Sequence, residues 1–586
     1  MCGIFGITNF NQPHLSRARE SLHTMAHRGP DQWNDFYDND IYLGHRRLSI
    51  LDLSENGRQP MVSSDGNVII CVNGEIYNFS ELKEELLPTY TFKSTSDSEV
   101  VLYGYKAWGI EKLLEKIDGM YAISIYDIEK KKLFLVRDRV GIKPLFYSKV
   151  DNQLVFASEL KAITCYYQQK NLKIDYTALY DFLTYRYIPA PKTMYQNVYK
   201  LNPGHYLEAD LSQDEVKNIR YWQLSINDNG DSIEQASEKI RHLVKKSVDE
   251  QMMSDVPVGF FLSGGLDSST VVAVASEMNH DVSTFSIGFS DKSHDETHYA
   301  DIIAKQYRTR HHKKILDEHK TLDLLPKLKE WYDEPFADLS CFPTFLVSEF
   351  AREKATVVLT GDGGDEVFGG YNWYHYFRQK SKFRYPSFRY IRKWLSPYVE
   401  RRSLIGKICR RIERPHLLSD IELYTKLMSG LLSSEKSEFR KKWNIPEDYD
   451  DYWYFRKYYR KDLDLLTRLQ YLDFHTFLPD DILTKVDRVS MRVSLECRVP
   501  LLSKEIVEYL FSLSADVRYH NRELKGAMKE AFKEKIPDEI LNRDKKGFSI
   551  PFARWRKDVF NNEKSRQEFV LHKLFEQEIT SNGCNT

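Results

Sequence analysis

Residues 256–269 read VPVGFFLSGGLDSS, and their pattern predicts the architecture of the second half of the chain. Residues 256–262 contain no polar side chain, which is typical of a strand buried on both faces. A turn with two glycines follows, and residues 270–277 continue with helical periodicity. A buried strand, a glycine turn and a helix form the unit of a parallel α/β sheet, which binds ligands at its strand ends. We therefore predict a ligand site directly after Leu262.

The glycine turn has the chemistry of a phosphate-binding loop. Gly264 and Gly265 let the backbone approach phosphate oxygens, and the start of the following helix favours an anion. Asp267 can hold Mg²⁺ against those oxygens. The chain contains no GxxxxGKS or GxxxxGKT sequence, so this is not a P-loop, and a chance Ser/Gly turn is the alternative. The hydroxyl groups of the predicted loop belong to Ser263, Ser268 and Ser269.

A second glycine-rich turn, TGDGGDEVFGGY at residues 360–371, follows the predicted strand 356–359. Carboxylates that face a triphosphate are unfavourable unless they coordinate a metal ion or hold a proton. We therefore expect Asp365 to be a second Mg²⁺ ligand. The alternative is a surface turn, but the glycine density after an apolar strand argues for a ligand loop.

The first two hundred residues have a different pattern, with short apolar or alternating runs separated by Asn, Asp and Gly. Such runs predict strands joined by turns. Helical periodicity interrupts them at residues 17–25 and 97–108, so an α+β sandwich is favoured. The predicted strands are 41–43, 68–72, 120–126, 133–136 and 154–156.

Cys2 is a candidate nucleophile. Removal of Met1 would leave an α-amine with a pKa of about 8 beside a thiol with an ordinary pKa of about 8.5. One residue would then carry both a nucleophile and a base. A cysteine at position two is weak support by itself, and a structural role is the alternative.

Three further segments carry groups that hydrolysis of a glutamine side chain requires. Arg47 can pair with an α-carboxylate through its planar guanidinium. Asn73 and Gly74 can donate to an oxyanion, and Glu75 can bind a substrate amine. Asp97 begins a helical segment and can serve as its cap. Each residue alone fits a turn or a cap, whereas together they indicate amide hydrolysis.

Six motifs follow one another in the first 145 residues: MCGIFG (1–6), HRGPD (27–31), HRRLSI (45–50), NGEIYN (73–78), SDSE (96–99) and RDRVGIKPL (137–145). With them, residues 2–205 resemble the class II glutamine amidotransferase domain. The resemblance implies an N-terminal-nucleophile αββα sandwich with Cys2 as the nucleophile. It also implies an oxyanion site at Asn73 and Gly74. Glutamine binding is implied for Arg47, Asn73, Glu75 and Asp97.

Further motifs are LTKVDR (483–488), ECRVPL (496–501) and RDKKGF (543–548). With the two glycine turns they make residues 236–555 resemble the asparagine synthetase domain, and SGGLDSS resembles the pyrophosphate loop of the ATP pyrophosphatases. The resemblance implies ATP and Mg²⁺ as cofactors, with cleavage between the α and β phosphates. Lys545 corresponds to the catalytic lysine, which neutralises charge on the α-phosphate. Adenine and ribose are expected at Leu262, Ile287 and Gly361.

We accordingly predict two domains with different folds, because the chain of 586 residues is too long for one core. Residues 2–205 form the glutaminase domain, and residues 206–235 form a connector. Residues 236–560 form an α/β ATP-pyrophosphatase-like parallel-sheet domain with a helical C-terminal region. Residues 561–586 form a tail.

The resemblance implies a glutamine-hydrolysing, ATP-dependent ligase that amidates a carboxylate and forms AMP and diphosphate. Aspartate is the leading acceptor, and a uronic acid or other carboxylate of bacterial surface-polysaccharide assembly is the alternative. Asp362, a catalytic candidate near the acceptor, stands where well-studied members carry Glu. Residues 500–503, PLLS, also lack the aspartate that usually follows this proline motif. Both departures concern the acceptor more than the chemistry.

The composition limits the cellular location and the binding partners that we expect for this protein. The formal net charge of −1 gives no overall attraction to nucleic acid, and we expect no nucleic-acid partner. Seven cysteines without a CxxC pair predict reduced thiols. The N-terminus lacks a signal-peptide pattern, and no apolar stretch approaches the roughly 20 residues of a membrane span. We expect a cytoplasmic protein that can form a homodimer, although the sequence does not report the oligomeric state.

Residues 378–416 contain thirteen Lys and Arg against two acidic residues. A solvated helical face is the favoured interpretation. The alternative is a docking patch for an anionic glycan, a lipid headgroup or nucleic acid. A rival from another class is a non-catalytic scaffold, which predicts damage at the nucleophile or the phosphate loop. Both are present.

Overall fold

The structure is a computed structural model that describes residues 2–150, 152–278, 281–290, 295–316, 323–382, 418–543 and 565–581. Within these ranges the chain forms two six-stranded sheets and then one five-stranded sheet. The strands of the first two sheets are β1 (Gly3–Thr8), β2 (Gln32–Tyr37), β3 (Ile41–Arg47), β4 (Met61–Val62), β5 (Val68–Ile76), β6 (Gly119–Asp127), β7 (Lys132–Arg137), β8 (Phe146–Val150), β9 (Gln153–Ala157), β10 (Val198–Lys200), β11 (His205–Asp210) and β12 (Glu215–Arg220).

The first two sheets are antiparallel and face each other. Their strand orders are β10-β8-β9-β1-β3-β2 and β12-β11-β7-β6-β5-β4. Alternate residues of β5 serve two cores: Ile69 and Cys71 pack toward the other sheet, whereas Ile70 packs among helices. This explains why the run is apolar without interruption. Helices cover both outer faces, so the predicted αββα sandwich is confirmed.

Strands β11 and β12 lie within the segment predicted as a connector. β11 pairs with β7, so this hairpin completes the second antiparallel sheet. The chain then runs without a helix or strand from residue 221 to residue 232. The helix Ile233–Met252 begins at Ser232 with a capping box.

The third sheet is parallel, as the sequence predicted, with strands β13 (Val258–Phe261), β14 (Ser283–Phe289), β15 (Arg310–Leu316), β16 (Val357–Leu359) and β17 (Glu496–Arg498). Its order is β15-β14-β13-β16-β17. The chain therefore adds strands on one side of β13 and then on the other. Such a reversal opens a crevice at the carboxyl ends of the two central strands, where ligands bind.

The helices of the first part are Leu15–His23, Phe79–Leu86, Glu99–Lys116, Leu160–Tyr167 and Tyr176–Tyr185. Those of the second part, up to residue 382, are Ile233–Met252, Leu266–Met278, Thr297–Gln306, Leu328–Tyr332, Cys341–Arg352, Gly364–Phe368 and Asn372–Lys382. The helices that follow are Asp420–Leu427, Ser437–Lys442, Trp453–Tyr458, Leu465–His475, Thr484–Met491, Lys504–Phe511, Ala515–Arg518, Gly526–Phe532, Asp538–Leu541, Arg566–Leu574 and Glu576–Ser581. These confirm the helical C-terminal region. Across the described ranges, no helix is long and apolar enough to cross a membrane.

Candidate active sites

Cys2 lies immediately before β1, and its backbone is held from two directions. Its N–H donates to Oδ1 of Asn73 at 2.9 Å, and its carbonyl accepts from Nε of Arg28 at 2.9 Å. The residue is only 6% exposed. Burial raises the pKa of its thiol, whereas a backbone hydrogen bond from Leu48 and the charge of Arg47 oppose the rise. The structure therefore brings the predicted nucleophile and Asn73 together.

Asn73 and Gly74 are consecutive residues of β5. Nδ2 of Asn73 donates to Oγ of Ser158 at 3.4 Å. Gly74 has a φ of +153°, and a Cβ built on it would lie 1.9 Å from the carbonyl oxygen of Met120. A side chain at this position would therefore displace β6, which explains the glycine.

Besides Asn73, the predicted glutamine-binding side chains Arg47, Glu75 and Asp97 are all buried. The guanidinium of Arg47 donates to Oε1 of Gln32 at 3.0 Å and to three backbone carbonyls. Oδ2 of Asp97 accepts from the backbone N–H of Ile76 at 2.7 Å. Ser98, the residue before the helix Glu99–Lys116, makes no capping bond with its side chain. The side chain of Asp97 therefore bonds to the backbone of β5, a contact that helix capping alone does not require.

The second half of the chain closes over this site. Oε2 of Glu75 lies 3.4 Å from Nη2 of Arg498, which is also 2.7 Å from Glu496 through its Nε. Burial and the neighbouring Asp97 raise the pKa of Glu75 well above its ordinary range. A carboxyl group in this environment needs the positive charge of Arg498 or of a substrate amine to ionise.

A second buried contact joins the two halves. Arg28, fully buried, donates through Nη1 and Nη2 to the carboxylate of Asp487 at 2.7 and 3.0 Å. It also pairs with Glu159 at 3.0 Å. Asp487 belongs to the helix Thr484–Met491, so one arginine contacts both this helix and the carbonyl of Cys2.

The predicted phosphate loop lies at the carboxyl end of β13, in the crevice between β13 and β16. Oγ of Ser263 lies 3.0 Å from Oγ of Ser268, which donates to the carbonyl of Gly265. Gly264 has a φ of +69°, and a Cβ there would lie 2.5 Å from Cβ of Tyr299. The remaining predicted residues of the ATP site that surround this loop are Leu262 and Ser269, both buried, and Ile287, buried in β14.

The second glycine loop packs directly on the first. A Cβ on Gly361 would lie 2.7 Å from the backbone nitrogen of Ser268, and one on Gly364 would lie 2.6 Å from the carboxylate of Asp267. Oδ2 of Asp362 accepts from Oγ1 of Thr360 at 2.8 Å. The loop therefore packs in the same crevice as the predicted phosphate loop, which disfavours a surface turn.

Lys525 is a residue of this site that sequence reasoning missed. Its ammonium bonds to Asp267 and lies 2.7 Å from Oδ1 of Asp365. Although burial lowers the pKa of this ammonium, the two carboxylates raise it above its ordinary value. Lys525 is 258 residues from Asp267 and belongs to none of the quoted motifs, so no local signal identified it.

The contacts of Lys525 with Asp267 and Asp365 also indicate whether these two aspartates can bind Mg²⁺. They converge on one ammonium, which stands in for a cation between them. Among the described residues, no group of three or more His, Cys, Asp and Glu side chains is placed to hold a metal. Two carboxylates nevertheless suit Mg²⁺, which takes its other ligands from water and substrate phosphates. The residues present therefore fit the ion.

Lys545 lies outside the described residues, as do residues 383–416 of the basic segment. Arg543 is the last described residue before Lys545. It donates to the carbonyl of Gly264 at 2.8 Å and pairs with Glu296 at 2.9 Å. The RDKKGF motif is thus attached to the phosphate loop at its first residue.

A cavity lies between the two halves of the chain. Its lining includes Ile142 and Phe146 from the first half and Thr484, Asp487 and Arg488 from the second. Asp487 also contacts Arg28 beside Cys2, so this cavity adjoins the contact that joins the two parts.

Two family models together match nearly the whole chain. Residues 239–582 match the model described as asparagine synthase, and residues 1–222 match the model described as glutamine amidotransferase domain.

Several named proteins align with most of this chain. Asparagine synthetase (glutamine-hydrolyzing) 1 of Bacillus subtilis strain 168 is 31% identical, over 100% of this chain and 93% of its own length. Asparagine synthetase (glutamine-hydrolyzing) 3 of the same strain is 29% identical, over 98% and 92%. Amidase chry2 of Gibberella zeae is 27% identical, over 91% and 85%. The relatives thus carry more than one name, and similarity alone does not identify the acceptor.

Proposed function

The chain belongs to the asparagine synthase family and carries a glutamine amidotransferase domain, and from this premise we propose that it converts aspartate to asparagine. Membership makes it a glutamine-dependent carbon–nitrogen ligase that uses ATP. The choice of aspartate follows the asparagine synthetases among the relatives, and the observation that carries the amide transfer is that Arg28 contacts both the carbonyl of Cys2 and Asp487 of the second half. A nitrogen-releasing site and an ATP site joined through buried contacts suit a two-step amide transfer.

The first step is the hydrolysis of glutamine. The thiolate of Cys2 attacks the side-chain amide carbon, and the resulting oxyanion accepts bonds from Asn73 and from the N–H of Gly74. The α-amine that removal of Met1 exposes takes the proton of the thiol, and the ammonium so formed returns this proton to the departing nitrogen, which leaves as ammonia. Water then cleaves the thioester to glutamate and frees the thiol. Arg47 binds the α-carboxylate of glutamine, and Glu75 and Asp97 bind its amine.

The second step activates the acceptor. Its carboxylate attacks the α-phosphate of ATP, and diphosphate leaves from the loop 263–269. Asp267 and Asp365 would hold Mg²⁺, which would neutralise phosphate charge. Lys545 stabilises charge on the α-phosphate. Ammonia then attacks the acyl-adenylate, AMP leaves, and Asp362 is proposed to accept the surplus proton.

The route of ammonia between the steps is proposed to follow the buried junction. Ammonia released into water at pH 7 would mostly take up a proton and lose its nucleophilicity. The cavity beside Thr484 and Asp487 offers a shielded space adjoining Arg28. We propose that ammonia passes through it.

The extent of the two domains is also a proposal. We propose a glutaminase domain that begins at residue 2, a synthetase domain of residues 236–560 and a C-terminal tail of residues 561–586. The pairing of β11 with β7 supports moving the end of the first domain from residue 205 to about residue 220. The connector then shortens to the segment before the helix Ile233–Met252.

The acceptor has one rival of the same chemistry. Asp362 in place of Glu, and the missing aspartate after Pro500, leave room for a uronic acid or another carboxylate of surface-polysaccharide assembly. In that case the basic segment 378–416 is proposed to contact an anionic glycan or membrane.

Incubation with ATP, Mg²⁺, glutamine and aspartate, followed by mass spectrometry, tests the proposal. We expect asparagine, glutamate, AMP and diphosphate in equal amounts. Glutaminase activity without asparagine, together with an amide of a sugar acid, would transfer the assignment to the rival. Release of ADP and orthophosphate would contradict the role given to the loop 263–269.

A further inference from the structure

Lys485 belongs to the LTKVDR motif, and the proposed mechanism does not use it. It lies at the start of the helix Thr484–Met491, and its side chain is 9% exposed. Its ammonium donates to Oγ of Ser340 at 2.9 Å and lies 3.5 Å from Oδ2 of Asp338. The second distance exceeds the roughly 2.8 Å of a close ammonium–carboxylate bond, so the pair is loose.

Lys485 adjoins the phosphate crevice through the second glycine loop. Gly361 touches Ser268 and Asp267 of the first loop, and Asp362 is the next residue. Although burial lowers the pKa of the Lys485 ammonium, the nearby carboxylates of Asp338 and Asp362 raise it above its ordinary value. The side chain of Lys485 is therefore close to Asp362, which the proposed mechanism places near the acceptor.

The helix Thr484–Met491 directs Lys485 away from the contact between Asp487 and Arg28. Residues two apart on a helix point to different sides. Asp487 faces Arg28 of the first half, whereas Lys485 faces Ser340 at the start of the helix Cys341–Arg352. Lys485 therefore faces the start of the helix Cys341–Arg352 and not the contact with Arg28.

We propose that Lys485 and Asp338 form the subsite that recognises the acceptor as an α-amino acid. The ammonium of Lys485 binds the α-carboxylate, and the carboxylate of Asp338 binds the α-ammonium. The side-chain carboxylate of aspartate then points toward the phosphate crevice. This inference rests on the proposed function and adds a specificity-determining residue to it.

The charges around Lys485 favour a zwitterion over a sugar acid. Asp338 accepts from the backbone N–H and the hydroxyl of Ser340 at 3.0 and 2.8 Å, which holds its carboxylate in place. Behind it, Arg186 pairs with Asp481 at 3.1 Å. A uronic acid offers hydroxyl groups and no cation, so Asp338 would keep only Lys485 and Arg186 as its positive neighbours. An α-amino acid offers a carboxylate to the ammonium of Lys485 and an ammonium to the carboxylate of Asp338.

The test compares Lys485→Met with wild-type enzyme on two acceptors, aspartate and β-alanine, which is aspartate without its α-carboxylate. We expect the substitution to raise KM for aspartate about tenfold to hundredfold and to leave KM for ATP and glutamine unchanged. The preference for aspartate over β-alanine should fall toward one. Lys485→Arg should restore part of this preference. Lys461→Met, at an exposed lysine, is the matched control.

Glutaminase activity and thermal melting show whether the variant is folded, because the same helix carries Asp487. A folded Lys485→Met enzyme that keeps its preference for aspartate overturns the subsite alone. Equal increases of KM for ATP and aspartate would also overturn it, since they indicate a general disturbance. If wild-type enzyme amidates a sugar acid and not aspartate, the proposed acceptor fails first and the subsite with it.

Discussion

At the scale of single residues, hydrogen bonds to the backbone of Cys2 fix the position of this residue. Its N–H and carbonyl are fixed by Asn73 and Arg28, and Ile4 donates to Oγ of Ser158, the residue that Asn73 also contacts. The nucleophile therefore depends on the meeting of β1 and β5. Arg28 extends this dependence to the second half of the chain.

Cys2→Ala is expected to abolish turnover with glutamine and to leave turnover with ammonium salts unchanged. The reason is that the thiol serves only the release of nitrogen, whereas the acceptor is activated elsewhere. The amide product is measured with each nitrogen source in parallel. Loss of both activities in a folded variant would contradict two separate sites.

Lys525→Met is expected to have the opposite pattern. Without the ammonium, the carboxylates of Asp267 and Asp365 repel each other in a buried site, so ATP-dependent synthesis should fall by about a hundredfold or more with either nitrogen source. Basal glutaminase activity should persist. Lys529→Met, at the next lysine of the same segment, is the control. A variant with normal synthesis would show that Lys525 has no role at the phosphates.

At the scale of elements, the helix Ile233–Met252 brings a carboxyl group to the junction of the two parts. Burial raises the pKa of Glu250 to about 7, and Asp118, Glu505 and Glu81 add to the rise while Lys246 opposes it. The folded protein thus holds a proton that the unfolded chain releases near pH 4.5. Stability from this group is complete below that pH and is lost as the pH rises to about 7.

Glu250→Gln removes this pH dependence, because the amide is neutral throughout. Relative to wild type, the variant should gain more in Tm at pH 8 than at pH 5, by about 2 °C or more. Thermal melts at the two pH values measure the difference. Glu238→Gln, on the same helix but exposed, should show no such difference. An equal effect at both pH values would mean that Glu250 is ionised in the folded state throughout this range.

At the scale of the whole molecule, buried ion pairs join the two halves. Arg28 with Asp487 and Arg498 with Glu75 each connect a residue beside Cys2 with an element of the second half. Removing one member of such a pair leaves a charge buried without compensation. The junction therefore links the stability of the two halves as well as their sites.

Asp487→Asn is expected to lower the free energy of unfolding by about 3 kcal/mol, with Glu159 still pairing with Arg28. The amount of amide formed per glutamine hydrolysed should also fall, because ammonia escapes at the loosened junction. Denaturant unfolding and the ratio of glutamate to asparagine measure the two effects. Glu505→Gln, which removes the half-exposed pair with Lys246, should change stability by about 1 kcal/mol or less. Equal effects of the two substitutions would contradict a buried junction.

Much of the architecture could be predicted because it is encoded over short distances. The apolar strand and glycine turn at 256–265 predict a parallel sheet, and the structure has one with these residues at its central strand. The continuous apolar run of β5 has a similar cause, since both of its faces are buried. The end of the second antiparallel sheet was harder to predict, because its edge strand β12 is polar and largely exposed.

The sequence by itself determined the type of each domain and identified the candidate loops and the candidate nucleophile, since those signals lie within a few neighbouring residues. Only the tertiary structure decided which distant side chains complete the sites. Lys525 reaches Asp267 across 258 residues, and Arg28 reaches Asp487 across 459. Contacts of this kind depend on how whole elements pack. The sequence neighbours of each partner therefore do not predict them.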